Sequence, residues 1–117
     1  MNLQIFGTKK SSDTRKAERF FKERGVKYQY IDLNEKGLSR GELSGVCRAV
    51  GGAEKLIDEN CRDADALALV KYISAESRED MLLRNQQVLR QPIVRSGRQA
   101  TVGYCPEVWK EWIKNEK

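Results

Sequence analysis

A short apolar run opens the chain, Leu3-Gln4-Ile5-Phe6, and then the spacing changes: Ala17, Phe20 and Phe21 recur at helical spacing until Gly25. That change predicts a strand turning abruptly into a helix over about Ser11 to Arg24, with Gly25 as a left-handed stop. Tyr28-Gln29-Tyr30-Ile31-Asp32-Leu33 reads as a second strand. Strand, helix and strand make a βαβ unit, which is nearly always a right-handed crossover between parallel strands. Ser39-Arg40-Gly41-Glu42 has the form of a capping box, and Leu43, Val46, Cys47 and Val50 follow at i, i+3, i+4 and i+7 before Gly51-Gly52, so a second amphipathic helix is expected there. Beyond a short segment carrying Leu56 and Ile57, a helix capped by Asp63 or Asp65 should turn Leu67, Val70 and Ile73 inward, and another should run from Ser77 to about Asn85. Pro92-Ile93-Val94-Arg95 and Ala100-Thr101-Val102-Gly103-Tyr104 read as an antiparallel hairpin turning at Ser96-Gly97-Arg98. Pro106 suits the first position of a last helix with Val108, Trp109, Trp112 and Ile113 on its apolar face.

The order βαβ, helices, ββα implies an α/β fold: a mixed four-stranded sheet of thioredoxin-like (glutaredoxin-like) architecture, with a helical insertion at about residues 39–90. Another small α/β sandwich is the alternative. The 117 residues suit a single domain, 1–117, of ordinary size.

Composition narrows the function classes. The formal charge is +5, but acids are mixed among the bases, as in Lys22-Glu23-Arg24, which argues against direct nucleic-acid binding. One local excess stands out: Lys9, Lys10, Arg15 and Lys16 flank the turn between the first strand and helix, where unpaired N–H groups already favour an anion. No apolar run approaches the roughly 20 residues of a membrane span and no signal-peptide pattern opens the chain, so no membrane association is expected and the expected compartment is the cytoplasm. Three cysteines, Cys47, Cys61 and Cys105, at wide spacing fit reduced thiols, and without histidine or a paired-cysteine motif no metal site is expected. Cys47 falls on an apolar stripe and reads as core. Cys61 lies in a polar stretch beside Arg62. Cys105, at the start of the last helix, is the thiol best placed to gain from a helix dipole.

Three runs together carry a family resemblance. Phe6-Gly7-Thr8-Lys9-Lys10-Ser11-Ser12-Asp13-Thr14-Arg15-Lys16-Ala17 resembles the N-terminal motif of the ArsC/Spx family, in which an aromatic residue, four others and a reactive cysteine precede an Arg-Lys-Ala-like helix start. Val88-Leu89-Arg90-Gln91-Pro92-Ile93-Val94 is similar to that family's leucine, basic pair and Pro-Ile-Val segment, and Val102-Gly103-Tyr104 to its closing Val-Gly-Tyr. The resemblance implies a thioredoxin-like fold with a cis peptide before Pro92, facing the reactive turn. It implies an arsenate reductase-like protein of thiol-redox ancestry, with glutathione or glutaredoxin as redox partner and no bound cofactor. Alternatively, it implies a regulatory module of the Spx type that binds the C-terminal domain of the RNA polymerase α subunit. On that alternative, the Gly51-Gly52 end of the second helix is the surface to examine.

The departures from the family pattern bear directly on chemistry. The reactive cysteine position is Ser11, whose hydroxyl stays protonated without a strong base, and the chain has no histidine to act as one. The second cysteine of the regulators falls at Thr14, so no disulfide forms there. The three arginines that hold the oxyanion in the reductases fall at Asp58, Gln91 and Tyr104, none of them a cation. As sequenced, the chain is expected to be inactive; an oxidoreductase follows only if the natural residue at position 11 is cysteine. On residue type alone Ser11 is a helix N-cap, a role compatible with the family position. The expected site comprises Ser11 at the catalytic position, with Lys10, Ser12, Thr14, Arg15, Gln91 and Pro92 as binding residues. Arg15 is the expected contact for an anion or thiol partner.

Overall fold

In a computed structural model, which describes residues 1–116, the first strand, β1 (Leu3–Gly7), lies inside a four-stranded sheet of order β2-β1-β3-β4. It pairs in parallel with β2 (Gln29–Asp32), Ile5 opposite Tyr30, and antiparallel with β3 (Ile93–Ser96), Ile5 opposite Val94. β4 (Gln99–Val102) closes the hairpin against β3. Helix α1 (Ser12–Glu23) provides the crossover from β1 to β2. This is the thioredoxin-like arrangement that the order of elements implied, and the Gln91–Pro92 peptide is cis.

The period of two along each strand divides the core between the sheet's faces. Leu3, Ile5 and Val94 pack with Phe20, Phe21, Trp109 and Trp112 of α1 and the last helix, α5 (Pro106–Asn115). Phe6, Ile31 and Ile93 pack on the other face with the helices between β2 and β3: α2 (Arg40–Val50), α3 (Ala64–Tyr72) and α4 (Ala75–Arg84). Among the described residues, no helix is long and apolar enough to cross a membrane.

Local chemistry sets the helix ends. Ser39 and Glu42 form the expected capping box of α2, and Gly51 ends that helix at φ +94°. Of the two candidate caps for α3, Asp63 takes the role, its carboxylate accepting the Ala66 N–H at 3.1 Å. Three details differ from the periodicity. Helix α4 begins at Ala75, two residues earlier than expected, with Ser74 at its N-cap. Ile73 lies just past the end of α3, whose last carbonyls are held by a neighbour: Arg78 donates to the carbonyls of Val70, Lys71 and Ile73. Val108 faces solvent at 43% exposure, because Trp109 and Trp112 already fill the space beneath α5.

Candidate functional site

Ser11 is the N-cap of α1, with extended backbone (φ −79°, ψ 119°) and a side-chain oxygen that accepts the Thr14 N–H at 3.1 Å. That bond uses a lone pair and leaves the hydroxyl proton free to donate. Thr14 is fully buried beneath the turn, and its hydroxyl bonds to Gln91 Oε1 at 3.3 Å. The same oxygen accepts the Thr8 N–H at 2.7 Å and the Thr8 hydroxyl at 3.0 Å. Gln91 thus staples the β1–α1 turn to the segment before Pro92. Its carboxamide nitrogen, bonded to none of the described residues, is the donor it offers outward.

A second segment is drawn to this turn by backbone pairing. Ile57 bridges antiparallel to Leu89, Asp58 N–H donates to the Val88 carbonyl at 2.8 Å, and Arg90 N–H donates to the Leu56 carbonyl at 2.7 Å. Held in this way, the 58–60 loop closes a cleft of about 440 Å³ lined by Ser11, Asp13, Asp58, Asn60, Arg90 and Gln91. Two positions aligned with the family's arginines, Asp58 and Gln91, do meet at Ser11. The third, Tyr104, lines a different cleft, with its ring edge-on to Trp109 at 5.6 Å.

The remaining expected residues divide by position. Thr14 and the buried Pro92 support the turn from below, while Lys10 and Ser12 are exposed and do not line the cleft. Arg15 also lies outside the cleft lining, and its guanidinium donates to the Lys9 carbonyl at 2.5 Å. The Lys9 ammonium is paired with the buried Glu18 at 2.6 Å and stands over the Tyr30 ring at 4.2 Å. Lys16 sits 4.0 Å from Asp13. Much of the basic excess legible at this turn is therefore engaged by the protein itself, and the cleft receives its cation from Arg90.

Arg90, Asn60 and Asp13 are the lining residues that sequence reasoning did not single out. Arg90 carried a signal, as the one basic residue at the place of the family's basic pair before Pro92. Asn60 carried none, since its place depends on the Ile57–Leu89 bridge. Two carboxylates, one guanidinium, a hydroxyl and two carboxamides suit a ligand of mixed charge, whereas a dianionic oxyanion would face Asp13 and Asp58 with one arginine to offset them.

None of the cysteines lines this cleft. Cys47 is buried on α2, and burial, helped by the nearby Glu79 and Glu54 carboxylates, pushes its thiol up to about 12. Cys61 is partly buried and donates to the Gln87 carbonyl at 3.4 Å. The activation expected for Cys105 at the start of α5 is outweighed: its thiol points back to the Val102 carbonyl, and burial raises its pKa despite the opposing pull of Arg90.

Comparison with known proteins agrees with this architecture. The structure resembles that of a Bacteroides fragilis protein described as ArsC family related, at 20% identity and TM-score 0.83, covering 95% of this chain and 97% of that one. It also resembles an arsenate reductase of Vibrio cholerae, at 22% identity and TM-score 0.79 with the same coverage, and the protein SACOL0876 of Staphylococcus aureus, at 21% identity and TM-score 0.74, covering 93% and 96%. At such identities the likeness shows a shared fold. A search of curated proteins finds no match. The ArsC family model matches residues 6–112, nearly the whole length of the chain, and the chain belongs to the ArsC family.

Proposed function

We propose that this ArsC-family protein, of thiol-redox ancestry, does not reduce arsenate with serine at position 11, and that its Ser11 cleft binds a small thiol such as glutathione without forming a disulfide. The observation that carries the reading is the lining of the cleft: a hydroxyl occupies the helix start, no thiol lines the space, and Asp13 and Asp58 oppose a divalent oxyanion. Glutathione combines carboxylates with an ammonium group, which complements Arg90 on one side and the two aspartates on the other.

The test has two arms. With glutathione and glutaredoxin supplied, the protein should not turn over arsenate; turnover would overturn the inactive reading. Glutathione added to the isotopically labelled protein should shift the amides of residues 11–15 and 90–91, and the absence of saturable shifts there would remove the binding reading. Ser11→Cys then probes ancestry: a thiol pKa near that of free cysteine, with no mixed disulfide on exposure to oxidised glutathione, would sink it.

A second reading, a protein-binding module of the Spx type, is favoured by one feature. A cleft of about 750 Å³ lies between α2 and α4 beside Gly51 and Gly52, and Ser11 is not among its lining residues. Failure to retain the RNA polymerase α C-terminal domain in a pull-down would eliminate it.

A further inference from the structure

Away from the Ser11 cleft, α1 carries Lys16, Arg19 and Glu23 at helical spacing along one stripe, which its C-cap Arg24 continues. That stripe faces the first turn of α5 across a cleft of about 390 Å³, which Lys110 and Tyr104 also line. The lining holds four cations, Lys16, Arg19, Arg24 and Lys110, against one carboxylate, Glu23.

The cations differ in how far the protein engages them. Arg19 has no hydrogen bond or ion pair among the described residues. Arg24 stands over the Phe20 ring, its guanidinium carbon 3.8 Å from the centroid, and spends one nitrogen on the Phe20 carbonyl. Lys16 is 4.0 Å from Asp13 and Lys110 is 3.3 Å from Glu107, both exposed pairs of the kind that contribute little. Like charges that are only weakly paired repel one another, a cost that an anionic ligand reduces. Arginine forks suit phosphate oxygens, and two of the four cations lining the cleft are arginines. Beside them Tyr104 exposes its ring, with the Lys16 ammonium 5.9 Å from the centroid.

We propose that this α1–α5 cleft binds the oligophosphate group of a small molecule. A nucleoside diphosphate and free inorganic oligophosphate share that chemistry, and the Tyr104 ring is the feature that would tell them apart, as a stacking surface for a base.

Pyrophosphate and ADP are the probes, titrated into the labelled full-length protein at low ionic strength. Both should give saturable amide shifts along residues 16–24 and 104–110, with affinity falling as salt is added. Arg19→Ala combined with Lys110→Ala, both exposed positions, should weaken pyrophosphate about tenfold or more, while Arg90→Ala should leave it unchanged. Tighter binding of ADP than pyrophosphate, with the margin lost in Tyr104→Leu, assigns a nucleotide; equal affinities assign free oligophosphate. The proposal is overturned by the absence of saturable binding, by affinity that the double substitution leaves intact, or by shifts centred on the Ser11 turn and abolished by Arg90→Ala.

Discussion

Replacing Gly7 by alanine puts a methyl group where the fold has no room for it. A Cβ at Gly7 would lie 2.4 Å from Thr14 Oγ1 and 2.7 Å from Thr14 Cγ2. Thr14 cannot swing aside, because it is fully buried, branched at Cβ and bonded to Gln91. The strain must instead separate β1 from α1, and overpacking of this kind costs about 1–3 kcal/mol. Thr14→Ala removes both colliding atoms and leaves its own Cβ at 3.1 Å, a contact that small shifts relieve. Alone, Thr14→Ala loses a hydrogen bond of about 0.5–1.5 kcal/mol and a buried methyl of about 0.8 kcal/mol. Made together, the two changes should therefore cost about 1–2 kcal/mol less than the sum of their separate costs. Urea unfolding followed by tryptophan fluorescence measures all four proteins, since Trp109 and Trp112 are buried and report global unfolding. Free energies that add to within about 0.4 kcal/mol would refute the claim that Gly7 is required by the approach of Thr14.

Cys47 gives an alkaline signature. Its thiol is held protonated to about pH 12 in the folded protein, whereas an unfolded thiol titrates at about 8.5. Between those values the unfolded state binds fewer protons, so stability is fully present below about 8.5 and falls as pH rises toward 12. Tyr28, raised to about 12 by burial and by its bond to Glu18, adds a second loss that begins near pH 10. Cys47→Ala should make the decline above about pH 8.5 shallower, leaving the share of Cys105, whose thiol burial also raises; an unchanged slope of urea midpoints against pH contradicts the assignment. Trp109 is fully buried and its indole N–H donates to Thr101 Oγ1 at 2.8 Å. Trp109→Phe should cost about 1–3 kcal/mol by the same unfolding measurement, from the lost bond and the space left, and a cost below about 0.5 kcal/mol would show that the indole nitrogen contributes nothing.

The sequence by itself determined the scaffold, because its signals act over a few residues. The apolar run Leu3-Gln4-Ile5-Phe6 produced a strand buried on both faces, Ser39 and Glu42 capped α2, and Ser11 capped α1. The Ser11 turn and its partner segment at Gln91-Pro92 were legible for the same reason, each being a compact run. Local signals fell short at the α3–α4 junction, where α4 starts at Ala75 and Arg78 from that helix holds the last carbonyls of α3. The chemistry of the cleft was decided by tertiary structure. Which charges face Ser11 depends on the Ile57–Leu89 bridge, which brings Asp58 and Asn60 beside Arg90, and on the Lys9 carbonyl and Glu18 carboxylate, which engage Arg15 and Lys9. The sequence shows that basic residues flank the turn; only folding settles which of them are spent on the protein's own oxygens and which remain available to a ligand, since electrostatic partners are chosen by distance in space.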